Sequence, residues 1–283
     1  VCSIVNALRL GMSSGWRVLV AAEMIVGPGV GMGYSIQLAR DLLDYVGAFA
    51  CITVICLFGL FLDRVVLASI ERWMRAFAGA DEIFVVCITS NLSGTWSSAM
   101  AARELYLQSH PGMKIHVFDT LSTGPEMLLL IEKLADLIRA GRSFDEICKA
   151  GQEYLSTTQQ LFSQRSIRKL AHNGRVSKLA ASAIGILGIQ ILAAASGQGT
   201  IEPVDKCRGD KKTRSAMVQK MYDYGYHGGK VRISHAENPE AAVAIERALR
   251  ERYPLADIKT RLCGGLCSYY AERGGVIVAF ETA

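Results

Sequence analysis

Two stretches near the beginning of the chain are apolar over lengths that membrane helices have. Residues 46–62 contain no charged side chain, and a helix of that length extends about 25 Å, the short end of what a bilayer core requires. Residues 15–36 are also apolar, but Arg17, Glu23 and five glycines interrupt them, which suits a helix packed within a bundle. The pattern predicts two transmembrane helices within residues 1–79. A buried helical hairpin of a soluble domain is the alternative.

The charges that follow the second stretch predict its orientation. Arg64, Arg72 and Arg75 follow it, and basic residues concentrate on the cytoplasmic side of membrane helices. We therefore expect the chain to be anchored in the cell membrane, with residues 80–283 in the cytoplasm.

From residue 80 onward, short apolar runs alternate with helical stretches. Strands are predicted over residues 82–89, 114–118, 201–204, 230–235, 257–262 and 275–280, and helices over 95–110, 125–140, 143–156, 210–224 and 239–252. This alternation is typical of an α/β domain with a mostly parallel sheet. The sequence thus predicts an all-α segment over residues 1–79 and an α/β domain over 80–283. We interpret the uncharged run at 179–195 as a buried helix, or one that lines an apolar cavity.

Composition narrows the range of partners and chemistries. The net charge of +5 comes from scattered Lys and Arg rather than a basic stripe with aromatics, so no nucleic-acid partner is expected. The eight cysteines are predicted to be free thiols in a reducing compartment, and the spacing of Cys263 and Cys267 does not fit a zinc site. With no paired carboxylates and no phosphate-binding loop, we predict neither a metal nor an enzymatic activity.

The candidate binding chemistry lies in residues 89–95, Thr-Ser-Asn-Leu-Ser-Gly-Thr, between a predicted strand and a predicted helix. Free backbone amides at a helix N-terminus bind anions. Ser93 and Thr95 add hydroxyls there, and Gly94 lets a ligand approach the backbone. The alternative is that Ser93 and Thr95 only cap the helix.

Five separated motifs resemble those of the DegV family. They are Asn-Leu-Ser-Gly-Thr at 91–95, Asp-Thr-Leu-Ser-Thr-Gly-Pro-Glu-Met at 119–127, Ile-Arg-Lys-Leu-Ala-His-Asn-Gly-Arg-Val-Ser-Lys at 167–178, Arg-Gly-Asp-Lys-Lys at 208–212 and Gly-Leu-Cys-Ser-Tyr-Tyr-Ala-Glu at 265–272. Their order across about 200 residues makes the resemblance specific.

The resemblance implies a two-lobed α/β fold that buries one long-chain fatty acid in an apolar tunnel and presents it to a fatty acid kinase. Ser93 would bind the carboxylate with the amides of Gly94 and Thr95, and the run at 179–195 would line or flank the acyl channel. From the matched motifs, Arg175 and Arg208 are candidates for a head-group or partner face. The fatty acid would be the ligand, and no cofactor or metal is implied.

The chain departs from the family pattern in two places. The family's opening strand, with its Asp-Ser and Thr-Ser-Gln motifs, does not stand before residue 80. Cys263-Gly264-Gly265 occupies the neighbourhood where many members have a His before a Gly-Pro-Gly turn. Of the three usual carboxylate contacts, this leaves the one at Ser93.

Residues 1–75 resemble the end of an ABC transporter permease of the nitrate, sulfonate or taurine type, in residues 7–11, 15–24, 31–34 and 62–64. This resemblance implies the last two membrane helices of such a subunit. The alternative functions are therefore a permease subunit for transmembrane transport, or a composite chain with neither activity intact. A hydrolase with Ser93 as nucleophile is a further rival.

Overall fold

The computed structural model describes residues 11, 14–16, 18–25, 29–176 and 189–282. Residues 18–25 are helical. The later elements are α1 Met32–Asp41, α2 Tyr45–Phe61, a π-helix Leu62–Leu67, α3 Ala68–Phe77, β1 Glu82–Cys87, α4 Thr95–Ser109, β2 Lys114–Asp119, α5 Gly124–Arg139, α6 Phe144–Leu155, β3 Thr158–Gln164, α7 Arg168–His172, β4 Ile189–Ala195, β5 Ile201–Arg208, α8 Asp210–Asp223, β6 Val231–His235, α9 Pro239–Arg252, β7 Ile258–Leu262, α10 Gly265–Ala271 and β8 Val276–Glu281.

These elements form two compact units. One contains Val1–Ile83 and Ser97–Met113, and the other contains Phe84–Trp96 and Lys114–Ala283. The predicted domain boundary between residues 79 and 80 stays a prediction.

The first unit contains one helix that is long and apolar enough to cross a membrane, Tyr45–Phe77, among the residues that the structure describes. The second predicted membrane helix, over residues 15–36, is not formed as one helix. Residues 29–31 lie outside helices, and Gly29 and Gly31 have φ angles of 80° and 121°, which break a right-handed helix.

The C-terminal part of this long helix, α3, is anchored in the first unit by one apolar stripe. Ile70, Met74 and Phe77 are buried, at the spacing that places them on one helical face. Phe77 meets Tyr106 of α4 edge to face, with ring centroids 5.7 Å apart.

The second unit is built on a six-stranded sheet with the order β5-β4-β3-β8-β6-β7. Only β6 and β7 pair in parallel, and the other pairs are antiparallel. The prediction of a mostly parallel sheet is therefore wrong, although the α/β class is right. The reason is that residues 189–195, interpreted as helix, form strand β4, which turns directly into β5. Residues 179–188 of the same run lie outside the described residues.

The core lies on both faces of the sheet, and β8 shows this best. Its alternate residues Val276, Val278 and Phe280 pack in a cluster with side chains of α8 and α9. Ala279 points to the opposite face and packs with α5 and α6. A strand covered on both faces has an uninterrupted apolar sequence, which explains the run Val-Ile-Val-Ala-Phe at 276–280.

A buried arginine ties α5 to the sheet. Arg232 of β6 is 1% exposed, and its Nε donates to both carboxylate oxygens of Glu132 at 3.1 and 3.0 Å. Its Nη2 donates to Asp257 at 2.7 Å. Burial alone would raise the pKa of Glu132, but hydrogen bonds from Arg232 and Lys259 lower it below its usual value.

We predict that Glu132→Gln lowers the free energy of unfolding by roughly 1–3 kcal/mol, because buried Arg232 loses a charged acceptor. A lowered carboxyl pKa stabilises the fold above the unfolded pKa, and this contribution is lost as pH falls through the folded pKa. Denaturant unfolding in mild detergent should therefore show a difference in the free energy of unfolding between the native chain and Glu132→Gln at neutral pH, and this difference should become smaller in acid. The control Glu153→Gln breaks an exposed pair with Lys149 and should cost about 0.5 kcal/mol or less. Equal losses in the two variants would contradict the prediction.

Candidate functional site

The loops that follow β1 and β2 meet each other. The backbone N–H of Thr120 donates to the carbonyl of Cys87 at 3.3 Å, and the N–H of Thr89 donates to the carbonyl of Ser122 at 2.9 Å. The Thr120 hydroxyl also donates to the Cys87 carbonyl, at 2.9 Å. These bonds fix the two loops as one corner at the ends of the strands.

Asp119 organises the backbone of this corner. One of its carboxylate oxygens accepts from the N–H of Ser90 at 3.1 Å and from the N–H of Leu121 at 3.2 Å. Leu121 has a φ of 50°, an uncommon conformation for a residue with a side chain. Burial, reinforced by the negative charge of Asp119, raises the pKa of the Cys87 thiol to about 11. Cys87 is therefore a protonated, inert part of the core.

A third loop, the turn between β4 and β5, closes on the same corner. The Thr89 hydroxyl donates to the carbonyl of Gly199 at 2.9 Å, and the Asn91 amide donates to the carbonyl of Gln198. Gly199 has a φ of 76°, and a Cβ on it would lie 2.1 Å from the Thr89 Oγ1. The close approach thus requires glycine at this position.

The sequence-predicted residues Ser93, Gly94 and Thr95 stand at the first turn of α4. The hydroxyls of Ser93 and Thr95 are 2.7 Å apart, and the N–H of Thr95 donates to the Ser93 Oγ at 3.3 Å. Ser93 and Thr95 are half-buried, and Gly94 is exposed. The Ser93 hydroxyl thus accepts from the N–H of the first residue of α4, a local contact of the kind that the alternative interpretation expects. The same two hydroxyls, by rotating about χ1, can present two donors to an anion at the helix N-terminus.

The structure brings Arg175 to this corner but not Arg208. The Nε of Arg175 donates to the carbonyl of Leu92 at 3.2 Å, one residue before Ser93, and adds positive charge to the corner. Arg208 pairs with Ile189 at the far end of the β4–β5 hairpin from the turn at Gly199, about 20 Å away along the strands. Arg208 is exposed, and its assignment to a partner face stays a prediction.

A cavity of about 350 Å³ lies beside the loops of Asp119 and Gly197. Ser93 does not line it; its walls are Asp119, Thr120, Leu121, Glu126, Gln152, Leu155, Ser156, Thr158, Gln159, Ala195, Ser196 and Gly197. The tunnel predicted from the resemblance falls partly on residues 179–188, outside the described residues.

Glu126 in this cavity wall is a residue that sequence reasoning did not select. It is 5% exposed, and its Oε1 accepts from the Thr158 hydroxyl at 2.6 Å. Its backbone N–H donates to the Gln160 Oε1 at 3.1 Å. Burial raises the pKa of Glu126, against the hydroxyls of Ser122 and Thr158, which lower it. An acid in the first turn of a helix is common, so the sequence carries no signal that this one is buried.

Cys263 and Cys267 lie near the beginning of α5. A Cβ on Gly124 would lie 3.6 Å from the Cys267 Sγ. Burial, with Cys267 nearby, raises the pKa of Cys263 to about 11, so at neutral pH this thiol is protonated rather than a thiolate ligand or nucleophile. Within the described part of the chain, no group of three or more His, Cys, Asp or Glu is arranged to hold a metal ion.

Comparison with known proteins supplies the family context. A family described as "Uncharacterised protein, DegV family" matches residues 65–282. A DegV domain-containing protein of Streptococcus gordonii is 43% identical over 213 residues, which cover 75% of this chain and 76% of that protein. These matches give no support to the permease resemblance of residues 1–75.

Two solved structures are similar in both sequence and fold. A DegV family protein of Eubacterium eligens, loaded with heptadecanoic acid, is 47% identical with a TM-score of 0.73, over 76% of this chain and 78% of that chain. The Fatty Acid Kinase (Fak) B3 protein of Streptococcus pneumoniae, loaded with linoleic acid, is 42% identical with a TM-score of 0.74, over 76% of each chain.

We predict that Gly199→Ala lowers the free energy of unfolding by roughly 2–4 kcal/mol, through a strained positive φ and a clash with Thr89. Gly197→Ala in the same turn is the matched control, since a Cβ there meets nothing within 4 Å. Denaturant unfolding of both variants measures the difference. A Gly199→Ala variant as stable as Gly197→Ala would show that the turn does not pack on Thr89 as described.

We also predict a pH-dependent effect of Glu126→Gln. A raised pKa means that the folded state holds this proton more tightly than the unfolded state, so native stability is highest below the unfolded pKa and falls as pH rises to the folded pKa. Glutamine keeps the oxygen that accepts from Thr158 and never ionises. The variant should therefore gain stability relative to the native chain as pH rises above about 4.3, the ordinary pKa of a glutamate, measured by thermal unfolding at each pH. An offset that is constant with pH would contradict this.

Proposed function

The chain belongs to the DegV family, and on that basis we propose that it binds one long-chain fatty acid with the carboxylate at the Ser93 corner. Support comes from the neighbours at 47% and 42% identity, which were solved loaded with heptadecanoic and linoleic acid. The observation that carries the proposal is the Ser93–Thr95 hydroxyl pair at the first turn of α4, with Arg175 bound one residue before it.

The corner is suited to a carboxylate in both charge and hydrogen bonding. Two hydroxyls, the helix N-terminus and a guanidinium all favour a negative group. The negative charge of Asp119 at this corner is partly offset, because one of its carboxylate oxygens accepts from the N–H groups of Ser90 and Leu121. The carboxylate contact would set the orientation of the ligand, while burial of the acyl chain, at about 0.8 kcal/mol per CH₂, would supply most of the affinity.

We further propose that the bound acid is presented to a fatty acid kinase, since the S. pneumoniae neighbour is named a Fatty Acid Kinase B3 protein. Presentation requires a head group within reach of a partner, and Ser90, Asn91 and Gly94 at the corner are exposed. The exposed Arg208 would belong to the partner face. In this role the chain is a carrier rather than an enzyme.

The rival functions have weaker support. A hydrolase would need a general base beside the Ser93 hydroxyl, and among the described residues the hydrogen bonds of that hydroxyl are with Thr95. A permease subunit would need several membrane helices, and a single candidate is found among the described residues.

We predict that Ser93→Ala lowers the amount of fatty acid recovered with the purified full chain by about tenfold, because one hydrogen bond to a charged group is lost. The measurement is solvent extraction followed by mass spectrometry. Ser97→Ala is the matched control: Ser97 is an exposed serine two residues into the same helix, and this variant should retain native lipid content. Equal recovery from Ser93→Ala and native protein would remove Ser93 from the site.

A further inference from the structure

The long helix Tyr45–Phe77 changes character along its length. Its second part, α3, buries Ile70, Met74 and Phe77 in the first unit. Its first part, α2, buries no residue at all, although none of its 17 residues is charged. The C-terminal part of the helix is therefore packed in the first unit, whereas its N-terminal part is apolar and exposed.

The exposed side chains of α2 lie on most of its circumference. Val46 is 82% exposed, Phe49 68% and Leu57 60%. Others with at least two-fifths of their surface exposed are Ile52, Val54, Phe58, Leu60 and Phe61. The half-buried residues are Gly47, Ala48, Cys51, Ile55 and Gly59, and their spacing of three to four positions places them on a single narrow face. Helix α1 packs beside α2, and the ring centroid of Trp16 lies 4.9 Å from that of Phe58.

This distribution excludes the two ordinary roles of an apolar helix in a water-soluble protein. A core helix of that composition is buried, and a surface helix carries a polar face. Monomeric soluble proteins rarely expose contiguous apolar surface of this extent. Hydrocarbon is the environment that matches a helix apolar on nearly every side.

The length of the uncharged stretch and the charged residues at its two ends agree with a helix that spans a bilayer. The uncharged stretch from Tyr45 to Leu62 is about 27 Å long, close to the thickness of a hydrocarbon core. Asp44 caps its N-terminal end by accepting from the N–H of Gly47 at 3.0 Å. At the other end Arg64, Arg72 and Arg75 are exposed. Arg64 lies directly after the uncharged stretch, where it can meet lipid phosphates, and Arg72 and Arg75 lie about 15–20 Å further along the helix on the same side.

We propose that residues 45–62 span a lipid bilayer and that the arginines after them lie on its cytoplasmic side. The asymmetry of positive charge sets this orientation, and chain continuity then leaves the DegV-family part on the cytoplasmic side. The proposal does not depend on fatty acid binding, although a bilayer is a reservoir of such acids.

The test compares the full-length native chain with Val54→Lys/Leu57→Lys, which places two charges in the middle of the span. The control is Leu255→Lys/Leu266→Lys, at residues that are 97% and 66% exposed in the second unit. Each protein is mixed with liposomes of phosphatidylethanolamine and phosphatidylglycerol, floated on a density gradient and washed with alkaline carbonate. Flotation separates membrane insertion from aggregation, since aggregates sink.

The native chain and the control should float and resist carbonate, and each lysine in the span should reduce the membrane-bound to unbound ratio by roughly a hundredfold. A native chain that stays unbound as a monomer would overturn the proposal. So would a native chain that stays unbound as a dimer, because α2 would then be covered by a second copy. Flotation of the charged variant equal to that of the native chain would also overturn it.

Discussion

The second unit depends on the last strand of the chain. Strand β8 pairs with β3 on one side and with β6 on the other, so it joins β5-β4-β3 to β6-β7 as one sheet. Its side chains supply both cores, with Val278 on the face of α8 and α9 and Ala279 on the face of α5 and α6. The buried pairing of Arg232 with Glu132 adds a polar tie between α5 and the strand next to β8. Of the loops at the candidate site, the turn between β4 and β5 belongs to this sheet, whereas the other two follow β1 and β2, which form a separate two-stranded sheet.

The candidate corner is an assembly of loops rather than a motif on one element. The Thr89 hydroxyl reaches the turn at Gly199, 110 residues later in the chain, and Arg175 reaches Leu92. Loops that carry binding groups on a rigid scaffold are the usual arrangement in α/β proteins. Hydroxyls, helix amides and a guanidinium thus gather where no single segment of sequence would supply all three.

Many of the helices and strands could be predicted from the sequence, and the elements that were missed have a physical cause. Helices and strands with clear periodicity, such as α9 and β8, were predicted to within about two residues. Strand β3 was missed because its glutamines suggest a loop, whereas Gln160 and Gln164 are buried and donate to Thr123 and Tyr270. Strand β4 contains three alanines, a leucine and a glutamine, which are good helix formers, and pairing with the neighbouring strands overrides that propensity. Because β3 and β4 were both missed, their antiparallel pairing could not be predicted. Ser93 and Arg175 were selected from their residue types and motifs, and their role in binding stays a prediction. The burial of Glu126 is set by distant residues, so the sequence gives no signal of it.

The order of the strands also determines how the sheet ends. The outermost strand β5 carries Pro203, which cannot donate to a further strand, and exposes Asp205 and Lys206. At the opposite margin, β7 exposes Lys259 and Arg261. Charges and proline on edge strands oppose pairing between molecules. The sheet is therefore protected on both sides against growth into aggregates, which matters most at the high local concentrations reached during synthesis.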